Sequence, residues 1–147
     1  MQTQTDITFE FSVPVDAELA AQAISRVRDW WIRDTEGRTA AVGDAFTVHF
    51  NREQDFVRFT ITEAQPGRRY VWHVDDCFLH WFEDKTEWNG TDVIFDIVPE
   101  NGGSSITMVH RGLTPDVECY NICNAGWEGH VMRSLRKLMT EGAGTPQ

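Results

Sequence analysis

Apolar and polar residues alternate along most of this chain. Ile7, Phe9, Phe11 and Val13 share one parity, and Thr8, Glu10 and Ser12 take the other. That is the period of a strand buried on one face. The pattern returns in Phe46–Val48–Phe50, in Val57–Phe59–Ile61, in Tyr70–Trp72–Val74, in Val93–Phe95–Ile97 and in Ile106–Met108–His110. Turn residues such as Pro66-Gly67 and Asn101-Gly102-Gly103 separate the runs. Neighbouring strands joined by such turns pair antiparallel.

Two stretches depart from alternation. After Pro14, Asp16 is placed as an N-cap, and Leu19, Ala20, Ala23 and Ile24 share one helical face. A second short helix is expected over 27–32, ending near Thr35–Gly37. From Pro115-Asp116 to about Thr140, the residues Ile122, Cys123, Trp127, Val131, Leu135, Leu138 and Met139 recur at helical spacing. They predict one long helix with a single buried stripe, closed by Gly142.

A sheet with one apolar face needs a cover, and only the last helix is long and amphipathic enough to supply it. The expected fold is therefore α+β, a curved antiparallel sheet of about six or seven strands wrapped around a long C-terminal helix. Two short helices follow the first strand. The inward positions Phe11, Phe59, Trp72, Phe95, Met108, His110, Ile122 and Trp127 are expected to line a cavity between sheet and helix. The segment from Cys77 to Asn89 is longer than a hairpin needs and rich in aromatic residues. Trp81, Phe82 and Trp88 from that segment, with Trp30 and Trp31, are expected at the cavity rim or in a homodimer contact.

Composition narrows the function classes. At 147 residues, one domain over 1–141 is expected, followed by a flexible tail over 142–147. Aromatic residues make up 12%, including six Trp and nine Phe, which excludes general disorder. The 13 basic and 23 acidic side chains leave a net charge of −10, unsuited to phosphate backbones, so no nucleic-acid partner is expected. No apolar run approaches the length of a membrane span. The residues Met1–Asp6 carry no secretory pattern, and three cysteines form no disulfide framework. A reduced, cytoplasmic protein is expected.

Candidate chemistry is sparse. Cys119 and Cys123 share a helix face and would begin a soft-metal site with His110, but further ligands are missing, so no metal is expected. No phosphate loop, dinucleotide fingerprint or Ser-His-Asp arrangement is present, so no cofactor is expected. His110 is the polar group expected inside the cavity, and His130 lies on the Trp127 side of the last helix. Glu118 opens that helix.

Several segments in order carry a family resemblance. They are Val27-Arg28-Asp29-Trp30-Trp31, Val42-Gly43-Asp44-Ala45-Phe46, Glu87-Trp88-Asn89-Gly90-Thr91, His110-Arg111-Gly112-Leu113, Glu118-Cys119-Tyr120 and Gly126-Trp127. The chain resembles the START-like (birch-pollen-allergen-like, polyketide-cyclase-like) superfamily. Within it, the chain is similar to stand-alone bacterial members of the branch named after the activator of the heat-shock-protein-90 ATPase. The resemblance implies the helix-grip fold and a small hydrophobic ligand. The alternatives are a cyclase or hydrolase using His110 or Glu118, and a chaperone-interaction module. The N-terminal half of the eukaryotic co-chaperone activators has no counterpart here, so a chaperone is not the expected partner.

Overall fold

The computed structural model describes residues 6–51 and 54–147. Residues 1–5, most of the segment read above for a secretory signal, lie outside the described residues. Seven antiparallel strands form one sheet: β1 (Ile7–Val13), β2 (Thr35–Gly37), β3 (Ala45–Asn51), β4 (Asp55–Gln65), β5 (Arg69–Phe78), β6 (Asp92–Glu100) and β7 (Gly103–Arg111). Their spatial order is β1-β7-β6-β5-β4-β3-β2. Every neighbour is a sequence neighbour except β1, which pairs with β7. The chain therefore passes from one sheet edge to the other through α1 (Ala17–Ser25) and α2 (Val27–Trp30). Asp16 caps α1 as its sequence predicts, its carboxylate accepting from the Leu19 N–H at 2.8 Å.

The alternation sets the register. Phe9 lies opposite Met108 and Phe11 opposite Ile106 across β1 and β7, and Tyr70 opposes Phe95 across β5 and β6. The β4–β5 ladder shifts register between Arg58 and Phe59 and again between Ile61 and Glu63. Such bulges bend a strand and deepen its twist, which gives the sheet its curve. The concave face packs as a continuous aromatic layer. Trp72 sits at its centre, with ring centroids 5.2 Å from Phe46, 5.7 Å from Phe59 and 5.0 Å from Phe95.

Two elements differ from the sequence reading. Thr35–Gly37 is not a helix end but the edge strand β2, paired to β3 from Thr35↔Val48 to Gly37↔Phe46. Three residues are too few to show a period, and the Arg28 guanidinium holds them by donating to the Thr35 and Gly37 carbonyls, both at 2.8 Å. The last helix begins at Tyr120, later than Pro115-Asp116. It is a rod of three parts: α3 (Tyr120–Trp127), a π-helical segment (Glu128–Leu135) and α4 (Arg136–Glu141). Gly142 ends it with φ +82°, its N–H on the Leu138 carbonyl.

The residues after Glu141, expected to be loose, lie against the body in the structure. The Thr145 N–H donates to Ser134 Oγ at 2.8 Å, and the Gln147 N–H to the Trp31 carbonyl at 2.8 Å. Ser134 in turn donates to the Trp30 carbonyl at 2.6 Å.

Gly103 marks the closest approach of β1 to β7. A Cβ there would lie 2.1 Å from the Val13 carbonyl oxygen, with backbone also at 3.0 and 3.1 Å. Gly103→Ala is expected to lower the unfolding free energy by about 1–3 kcal/mol, the usual cost of an overpacked site. Urea unfolding with an unchanged m-value checks it.

Candidate functional site

The loop from Leu79 to Thr91 lies between β5 and β6 and faces the start of the helical rod. Two carboxylates clasp them together. Glu87 accepts from the Glu118 and Cys119 N–H groups at 3.1 and 2.9 Å, and Glu118 accepts from the Glu83 and Asp84 N–H groups at 2.9 and 3.0 Å. These amide donors, with Lys85 nearby, hold the Glu118 carboxyl below the usual carboxylate range. Glu118 thus secures the loop, and its carboxylate is engaged on both oxygens. On the far side, the fully buried Asp55 carboxylate accepts from the His80 N–H at 2.9 Å and pairs with His80 Nδ1 at 2.6 Å.

A fixed hydrogen-bond chain runs beneath the loop. Trp127 Nε1 donates to His110 Nδ1 at 3.0 Å. An indole N–H only donates, so Nδ1 must be the bare nitrogen and Nε2 carries the proton. Nε2–H then donates to Thr91 Oγ1 at 2.9 Å, and the threonine hydroxyl donates to the Trp88 carbonyl at 2.6 Å. His110 is fully buried, and that burial pushes its pKa down to about 3. Both ring nitrogens are engaged within the protein. The expected role of His110 as a ligand contact or general base is therefore corrected: it is a structural histidine.

The expected cavity lining is corrected in the same way. Phe11, Phe59, Trp72, Phe95 and Met108 are buried in the packed core. Ile122 faces outward and is 67% exposed. Cys119, Cys123 and Trp127 occupy the inward stripe at spacings of four, which turns Ile122 about 100° away. Trp30, expected at the rim, is fully buried, with Nε1 on the Ile24 carbonyl at 3.1 Å.

The open space lies at the rim. A pocket of about 120 Å3 sits between the loop and the helical rod. Leu79, Trp81, Phe82 and Trp88 wall it from the loop, and Trp31 and Phe50 from the sheet side. Ile122, Cys123, Gly126, Trp127 and His130 close it from the rod. Trp31 and Trp127 meet with centroids 4.7 Å apart, and Trp88 stacks on Trp127 at 6.0 Å. Of the expected site residues, Trp31, Trp81, Phe82, Trp88, Ile122 and Trp127 meet here. Phe50, Gly126 and His130 were not anticipated as pocket walls. The available signal was the pair Gly126 and Gly129, since glycines inside a helix cost about 1 kcal/mol each relative to alanine.

The Cys77 and Cys119 thiols are unsuited to nucleophilic work. The Cys123 side chain, then burial, push the Cys119 pKa far upward, and burial pushes Cys77 up to about 11. Among the described residues, no group of three His, Cys, Asp or Glu side chains is arranged to hold a metal. No helix among them is long and apolar enough to cross a membrane.

Burial of neutral His110 has a pH signature. The unfolded chain takes up a proton below about pH 6.5, whereas the folded protein resists until about pH 3. The stabilisation is complete above pH 6.5 and is lost as pH falls through that window, at up to about 1.4 kcal/mol per pH unit. Urea unfolding across this range should show the decline, and His110→Gln should flatten it while lowering stability at pH 7.

The fold has clear counterparts. The solution structure of the Aha1 dimer from Colwellia psychrerythraea superposes with a TM-score of 0.75 at 20% identity, over 95% of this chain and 98% of that one. A crystal structure of protein SSP2350 from Staphylococcus saprophyticus gives 0.71 at 13% identity, over 95% of both chains. CalU16 from Micromonospora echinospora gives 0.65 at 15% identity, over 90% of this chain and 73% of that one. No curated protein sequence matches significantly. The family model for Activator of Hsp90 ATPase homolog 1-like protein matches residues 23–140. With this helix-grip architecture, the chain belongs to that family of START-like domains.

Proposed function

We propose that this protein is a binding protein for a small apolar molecule, held in the pocket between the 79–91 loop and the helical rod. The observation that carries the reading is Gly126. It lines the pocket, and a Cβ built on it meets no atom within 4 Å. The helix forgoes about 1 kcal/mol of propensity at this exposed position, which leaves that side of the pocket open. The walls are almost wholly aromatic and aliphatic, so burial of apolar ligand surface supplies the affinity.

Size limits the ligand. An engineered apolar cavity of about 150 Å3 admits benzene, and this pocket of about 120 Å3 is of the same order. The space within its walls suits one ring or a short branched chain. The reading involves no catalytic group, since His110 and Glu118 are both committed to structural hydrogen bonds.

Gly126→Leu tests this. The new side chain is expected to fill the pocket and abolish uptake of toluene, measured by shifts of the tryptophan indole N–H resonances. It should raise the unfolding free energy by about 1 kcal/mol through helix propensity alone. Undiminished toluene binding in that variant would overturn the site assignment.

A second reading concerns self-association. Trp81 and Ile122 flank the pocket mouth and are 53% and 67% exposed, a costly pair to leave in water. The Colwellia relative is described as a dimer. If this face pairs two copies, sedimentation should show a dimer of the wild type and a monomer of Trp81→Ser/Ile122→Ser. A monomeric wild type at high concentration would exclude it.

A further inference from the structure

Five histidines are present, and four have a polar partner. His110 uses both nitrogens, His80 pairs with Asp55, His73 with Asp92 at 2.9 Å, and His49 with Glu36 at 3.0 Å. His130 is the exception. Its ring packs against Trp31 and Trp127, with centroids 6.2 and 6.3 Å away, and makes no hydrogen bond to any described residue. It is also a pocket wall, in the π-helical segment. Segments of that kind are rare and concentrate at functional sites.

We infer that the pocket takes a single aromatic ring bearing one hydroxyl, a phenol, with the hydroxyl hydrogen-bonded to His130. This rests on the pocket reading above and names the ligand class. The ring requirement comes from the walls. Trp31, Trp81, Trp88, Trp127, Phe50 and Phe82 surround the space, offering both faces and edges to a flat π-system. The volume admits one ring. The hydroxyl requirement comes from His130. The His130 nitrogens are not among the buried unpartnered atoms, so water can reach them, and a ligand hydroxyl would replace that water with a direct bond.

Charge selects the phenol over a carboxylate. Burial lowers the His130 pKa, so the ring is neutral at pH 7 and offers one donor and one acceptor. Among the described residues, no cation lines the pocket. A carboxylate would enter this aromatic space without a counter-charge, on a protein of net charge −10. A neutral hydroxyl carries neither penalty.

The test compares phenol, toluene, cyclohexanol and benzoate against the full chain, followed by the indole N–H resonances and by calorimetry. Phenol should bind about three- to tenfold tighter than toluene, the size of one net hydrogen bond. Cyclohexanol should bind less tightly than phenol, and benzoate should not bind measurably. In His130→Phe, toluene affinity should stay within about threefold while the phenol preference disappears; His130→Gln should restore part of it. Should those variants fail to fold, the imidazole nitrogen resonances of wild-type His130 provide the readout: phenol should move them and toluene should not. Equal affinity for phenol and toluene, or unmoved imidazole resonances, would overturn the assignment of His130 while leaving the pocket intact. Failure of all four compounds to bind would overturn both readings.

Discussion

The chain of hydrogen bonds from Trp127 through His110 and Thr91 to the Trp88 carbonyl is the constraint on which the pocket depends. It joins the helical rod, the end of β7, the approach to β6 and the last tryptophan of the loop. Each link has a fixed direction, because the indole can only donate and each acceptor after it must pass a proton onward. The chain is also dry: His110 has no solvent exposure. A buried network of this kind is stabilising only when every member is satisfied, and here each is. It therefore specifies one position of Trp88 over Trp127.

Around that line, the remaining polar groups hold the loop rather than perform chemistry. Asp55 grips His80 at one end, and Glu87 and Glu118 exchange backbone N–H groups at the other. Three acidic side chains that read in sequence as surplus negative charge are thus fasteners. They leave the loop's aromatics free to wall a space instead of closing onto the core. One donor is left over. Trp88 Nε1 is buried without a hydrogen-bond acceptor, though it bears favourably on the Cys119 thiolate form. A polarisable sulfur is a weak acceptor, which softens but does not remove that cost.

Much of the fold was legible because period-two alternation marks the inward face, even on β5 and β6, which also bury Val71 and Ile94 on the other. His110 was legible as inward for the same reason: it shares the parity of Ile106 and Met108. What alternation could not reveal was its partners, because Trp127 and Thr91 come from other elements. Ile122 shows the converse limit. A helical stripe read only by apolar character accepts both Ile122 and Cys123, but only Cys123 faces inward. The sheet took the small thiol and turned the isoleucine out. The loop aromatics were legible as a cluster, but their enclosure was not, because the clasp that encloses them lies in long-range bonds between carboxylates and backbone.

The glycines carry the remaining argument. Gly126 lies within α3 and Gly129 within the π-helical segment, and a Cβ on either would meet open space. Nothing in backbone geometry asks for glycine there, since neither has a positive φ. Gly126 is exposed and Gly129 half-buried, and helix propensity alone favours alanine at both. Their flanking side chains are Trp127 and His130, one satisfied inside the protein and the other not. Of the two, Gly126 lines the pocket, so the rod sets one missing side chain beside His130 over an aromatic-walled space. Local departures from the stable choice gather at sites that serve something other than folding, and here they gather at the pocket.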